Sequence, residues 1–185
     1  HSGMRVLPIA GEGALGNLRD LLQLQGVDFA ILNNDILAYL DLTGEYPDAR
    51  RRIRYVTHLL DQTVYLLARK EFVSLEQLRG RKVAAGQGAI TARTLFGLHK
   101  VAAEVQTIDS ERLAQLQTLR GVDGIVLLGG EVARLDLGLA ALSDFHLLAI
   151  PPSPALQKVY QPARIAATEF PGLARPEGPL DTIAV

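Results

Sequence analysis

No cysteine occurs among the 185 residues, which excludes disulfides, thiol nucleophiles and every cysteine-ligated metal site. Charge of one sign is not in excess: 19 basic against 20 acidic side chains leave a formal net charge of −1, so no overall field draws in a polyanion, and nucleic acid is not an expected partner. No apolar run approaches the roughly 20 residues that span a bilayer, and no charged n-region followed by an apolar h-region opens the chain, so direct membrane insertion is not expected. His58, His99 and His146 have no companion at metal-ligand spacing, there is no G-x-S-x-G elbow, and no histidine stands beside an obvious nucleophile. These absences leave no catalytic residue, metal ligand or cofactor to nominate, and the chain is not expected to be an enzyme.

What is present is an ordinary folding composition, with 48% hydrophobic and 21% charged residues. The length suits one ample core or two small lobes. His1-Ser2-Gly3 ahead of Met4 reads as a tag remnant. The one conspicuous charge run, Arg50, Arg51, Arg52 and Arg54, reads as a solvated helix end or a loop before a strand.

Along the chain, strand and helix patterns alternate. Arg5 to Ala10, Val27 to Leu32, Ile53 to Leu60 and Val64 to Ala68 read as strands, with helices over Asn17 to Gln25 and Ile36 to Leu42. Ser74-Leu75-Glu76-Gln77 is a capping box opening a short helix that Gly80 ends. Strands then follow at Lys82 to Ala85, Val105 to Ile108, Val122 to Leu128 and His146 to Ile150, separated by helices over Ile90 to Lys100, Ser110 to Leu119 and Glu131 to Leu142. This alternation predicts an α/β protein with mostly parallel sheets covered by helices on both faces. Pro151, Pro152 and Pro154 break the pattern, and Arg164 to Thr168 and Leu180 to Val185 read as an extended return.

Two glycine loops carry the local chemistry. Gly11-Glu12-Gly13-Ala14-Leu15-Gly16 is a literal G-x-G-x-x-G between strand and helix, with Asp35 roughly 20 residues on, the layout of a dinucleotide fingerprint. Against that reading stand Pro8 inside the first strand and Glu12 between the two glycines that would approach a pyrophosphate. The plainer reading is a glycine turn opening a helix, whose free N–H groups can still hold a ligand oxygen. Gly86 to Thr91 repeats the physics, with the Thr91 hydroxyl as a directed donor and Arg93 one turn later, and it reads equally well as a plain strand-to-helix connection.

Taken in register, Gly11 to Leu18, Gly26 to Asp35, Ser74 to Gly86, Gly88-Ala89-Ile90-Thr91 and the closing Tyr160, Phe170-Pro171-Gly172 and Thr182 to Val185 resemble the TAXI family of TRAP-transporter solute receptors. Two departures stand out: the family's opening strand and glycine-tyrosine-rich loop have no counterpart, and Ala14 and Ala89 replace serines of the two glycine loops. The resemblance implies a two-lobed fold of the periplasmic-binding-protein type II kind, its lobes joined by crossing strands. The first lobe is expected over 5–66 plus 157–185 and the second over 67–156. It further implies a periplasmic or other extracytoplasmic location, a small solute with a carboxylate (an amino acid or organic acid) in the cleft, and delivery to the membrane components of a TRAP transporter. Gly13, Ala14, Asn17, Asn34 and Asp35 would bind from one side, with Gln87, Gly88, Ala89, Ile90, Thr91 and Gly130 from the other. Two alternatives remain: a ligand-sensing extracytoplasmic domain of a larger membrane protein, and a dinucleotide-dependent enzyme using Gly11 to Gly16.

Overall fold

The computed structural model describes residues 5–109, 121–132, 142–166, 169, 173 and 178–185. The helices expected over 110–119 and through 133–141, and the Phe170-Pro171-Gly172 turn, lie outside them. At its centre is a five-stranded sheet of β1 (Val64–Arg69), β2 (Lys82–Ala85), β3 (Glu104–Thr107), β4 (Gly124–Leu128) and β5 (Phe145–Leu148), in the order β3-β2-β4-β1-β5. β2 runs parallel to β3 and to β4, whereas β1 is antiparallel to both its neighbours, β4 and β5. The sheet is therefore mostly parallel, with one reversed strand inside it.

Period-two alternation divides these strands between two cores. Val64, Leu66, Ala68, Val83, Ala85, Val126, Leu128 and Leu148 pack on one face, beneath Ala92, Leu95 and Phe96 of helix α4 (Ala89–Leu98). Tyr65, Leu67, Ala84, Ile125, Leu127 and Leu147 pack on the other, with Leu142, Leu173 and Leu180. Burial on both faces explains why Val64 to Ala68 and Ile125 to Leu128 are continuous apolar runs and not alternating ones. Before β2, the Gln77 side chain accepts the Ser74 N–H at 3.2 Å and opens a 3-10 turn at Leu75–Leu78, as the capping-box spacing predicts.

Ahead of the sheet lie α1 (Gly13–Gln23), α2 (Ile36–Thr43) and the single turn α3 (Ala49–Arg52). Leu18, Leu22, Ile36, Tyr39 and Leu40 form a third core that takes in Ile90 of α4. A side chain at Gly97 would meet Leu42 at 2.8 Å, so glycine in the last turn of α4 lets α2 sit close against it. Arg50 reaches Asp41 at 3.1 Å, Arg51 pairs with Asp48, and Arg52 donates to the Leu22 carbonyl, so the basic run is a helix turn tied to its own surroundings.

The first three expected strands are a correction. Residues 5–10, 27–32 and 53–60 form no ladder among the described residues. Nine large apolar side chains on them are exposed, among them Phe29 at 69% and Ile31 at 72%, where a buried strand was expected. Their β-branched and aromatic composition favours a strand, but a strand exists only where a neighbouring strand takes its N–H and C=O groups, and none does so among the described residues. The return of the chain does pair: β6 (Gln161–Ile165) and β7 (Leu180–Ala184) form an antiparallel ribbon. Beyond β7, Val185 and Gln62 exchange backbone hydrogen bonds of 3.0 and 2.8 Å, and Thr63 bridges Ala184, which brings the chain's end beside the segment entering β1.

Candidate functional site

β2 and β4 are parallel neighbours, so the loops that follow them leave the sheet at the same edge, and β1, being antiparallel, begins there. Three segments meet at that edge: Leu60-Asp61-Gln62-Thr63 before β1, Gln87 after β2, and Gly129-Gly130 after β4. Together they line an open cleft of ≈ 470 Å³. The position follows from strand order. β2 leads through α4 to β3 on one side, while β4 returns on the other, and a crevice opens outside the carboxyl ends of strands where connections diverge in this way.

Glu131, outside the lining itself, holds two of the loops in place. Only 5% exposed, it accepts the Gln87 N–H at 2.7 Å on one carboxylate oxygen and the Leu128 N–H at 2.9 Å on the other, tying the two loops together. Gly129 donates to the Thr63 carbonyl at 2.9 Å and Gly130 to Gln62 Oε1 at 3.3 Å, which ties the third segment to the same loop. The fit is close at both glycines: a Cβ on Gly130 would stand 3.0 Å from Gln62 Oε1, and one on Gly88 3.3 Å from Leu128. Asp61 is the acidic group in the lining, with His58 Nε2 3.0 Å from its Oδ1.

Of the residues expected to bind, Gln87 and Gly130 meet in this cleft. Gly88, Ala89, Ile90 and Thr91 are buried behind it in the start of α4. Asp35 and Thr91 do come together from distant parts of the chain, but in the interior, both fully buried. Tyr160 donates its hydroxyl to Asp35 Oδ2 at 2.9 Å, while Asp35 Oδ1 and the Thr91 and Thr94 hydroxyls have no partner of hydrogen-bond geometry among the described residues. Burial pushes the Asp35 carboxyl above its ordinary range against the counter-pull of the Thr91 and Tyr160 hydroxyls, and burial next to Asp35 raises the Tyr160 hydroxyl. Asp35 stands at the N-cap of α2 but makes no side-chain cap, so capping does not account for it. Asn34 beside it is exposed.

The first glycine turn is outside the cleft lining. Asn17 Nδ2 donates to the Ile31 carbonyl at 3.0 Å, and Asn17 Oδ1 fills the place where a Cβ on Gly11 would stand, 1.7 Å away. The face of Gly11 that a pyrophosphate would need is thus packed by the chain's own amide. Gly13, at φ +84°, opens α1, and Ala14 packs against the third core.

Sequence reasoning did not nominate Glu131, Gln62, Thr63 or Tyr160. Glu131 carried one signal, an acid directly after a glycine pair at a strand end. Gln62-Thr63 carried another, a polar break between two apolar runs.

No family model matches the chain, and no curated protein does. Among solved structures the chain is similar to holo ArgBP from T. maritima (20% identity, 61% of this chain and 54% of that one, TM-score 0.35). It is similar also to an ancestral arginine-binding protein bound to glutamine (18% identity, 71% and 64%, TM-score 0.39). A third is the AvGluR1 ligand-binding domain in complex with glutamate (14% identity, 71% and 62%, TM-score 0.36). The chain spans between about half and two thirds of the length of these structures.

Proposed function

We propose that the chain is a small-molecule receptor that binds a polar solute in the cleft at the carboxyl ends of β2 and β4, with no chemical step. The observation that carries this reading is the convergence of three separate segments, through Glu131 and Gln62, on one open cleft at the switch point of the sheet. Such positions in α/β sheets favour ligands because loops from diverging connections leave a crevice with polar backbone at its rim. Gln87 and Gly130 are assigned to the solute. Lobes of 5–66 plus 157–185 and of 67–156 would meet at Gln62 and Thr63, the crossing point beside Val185. The TAXI resemblance supports an extracytoplasmic setting and delivery of the solute to a TRAP-type membrane transporter.

The test is a thermal-shift screen with free amino acids, organic acids and small amines, repeated on Gly130→Val. A valine there crowds the Gln62 side chain and adds bulk to the cleft lining. A solute that raises the melting temperature of the parent and not of the variant supports the reading; at 100 times its dissociation constant it stabilises by about 2.7 kcal/mol. A screen with no response, or an equal response in the variant, removes it.

A further inference from the structure

We propose that this cleft selects a solute with a positively charged amine or guanidinium and turns anions away. The inference rests on the receptor reading above and adds the charge of the guest. Glycine loops at strand ends ordinarily suit anions, because their unpaired N–H groups point at the incoming oxygen. Here four of the amides around the cleft are spent before any solute arrives. Both oxygens of one buried carboxylate, Glu131, take the Gln87 and Leu128 N–H groups at 2.7 and 2.9 Å. Thr63 and Gln62 take those of Gly129 and Gly130.

An entering carboxylate or phosphate therefore meets none of these four donors, and the carboxylate that holds two of them lies buried behind the lining. Glu131 is in effect the anion of this site, built into the chain. What the cleft offers is the opposite polarity: the Asp61 carboxylate in its lining, the side-chain oxygens of Gln87 and Thr63, and no lysine or arginine among its described lining residues. Asp61 spends Oδ1 on His58 Nε2 and keeps its second oxygen for the cleft, where it attracts an ammonium or guanidinium and repels a second carboxylate; the buried Glu131 adds to the same sign.

Isothermal titration and thermal shift of the whole chain with arginine, lysine and putrescine, against succinate, glutamate and phosphate, test this at low ionic strength. The cationic probes are expected to bind and the anionic ones not. Asp61→Asn, on an exposed side chain, is expected to weaken the cationic probes about fivefold, the upper end for one partly exposed charge pair, while Gly130→Val removes them. Binding of succinate, glutamate or phosphate in the parent, lost in Gly130→Val, would overturn the charge assignment and leave the receptor reading standing. The same holds for cationic probes that bind Asp61→Asn undiminished. No binding by any probe, together with a silent wider screen, overturns both.

Discussion

Two carboxylates, Glu131 and Asp35, are withdrawn from water, and the partners that each one finds set what substitution does. Glu131 has two backbone N–H groups, and hydrogen bonds to a charged group are each worth about 1.5–3 kcal/mol. Glu131→Ala is expected to cost about 3 kcal/mol in a urea melt, because it also strands the Gln87 and Leu128 amides. Asp35 accepts from the Tyr160 hydroxyl at 2.9 Å with the Thr91 hydroxyl nearby, and its carboxyl is raised by burial in spite of both. A raised carboxyl binds its proton more readily in the folded state than in the unfolded one. Its contribution is thus fully present below the ordinary carboxyl value and is lost as pH climbs through the raised one. Asp35→Asn keeps an acceptor for Tyr160 and carries no charge. It should be more stable than the parent at about pH 8, by about 1 kcal/mol, with the gap closing as pH falls toward about 4; an unchanged gap across that range would contradict the burial argument.

Among elements, the contrast lies between β4, hydrogen-bonded on both sides, and the stretches 27–32 and 53–60, which have no ladder among the described residues. Amide hydrogen exchange should therefore be slow over Ile125 to Leu127 and fast over 28–32 and 54–60. Equal protection would mean that those stretches are paired in solution. The same contrast marks how far the fold could be read from residue order. β1, β2, β4 and α4 were legible because each has a local pattern and a local punctuation mark: the Ser74 cap, Gly80, the Gly86 loop, the Gly129 pair. Phe29 and Ile31 have an equally good strand pattern, yet pairing depends on a distant neighbour that no local pattern encodes. For the cleft, Gln87 and Gly130 were legible as members of glycine loops, whereas Glu131 reaches back 44 positions and Gln62 is met from 68 positions away. The Asn17 amide, next to a glycine turn, lies between Gly11 and the Ile31 carbonyl, a contact with a distant segment that no local pattern encodes.

For the molecule as a whole, Ile183 and Val185 join the core to the cleft. Ile183 and Val185 are buried in the first core, and Val185 pairs with Gln62 at the edge of the cleft. A chain ending at Thr182 should lose about 3 kcal/mol or more, from two apolar side chains of about 1.5–3 kcal/mol each, and its thermal shift with any solute should fall with it. A truncated chain with parental stability and solute response would mean that the Gln62 crossing holds without them.

The reversed strand β1 has a further consequence, for how the chain is made. Its partners are encoded far downstream, at Gly124–Leu128 and Phe145–Leu148. At ribosomal speeds of about 5–20 residues per second, Val64 to Ala68 therefore emerges and waits on the order of several seconds before either flank exists. Contacts so remote in sequence also slow closure once synthesis ends. During that interval one of the most apolar stretches of the nascent polypeptide is bare, and this is where a holdase chaperone would be expected to act.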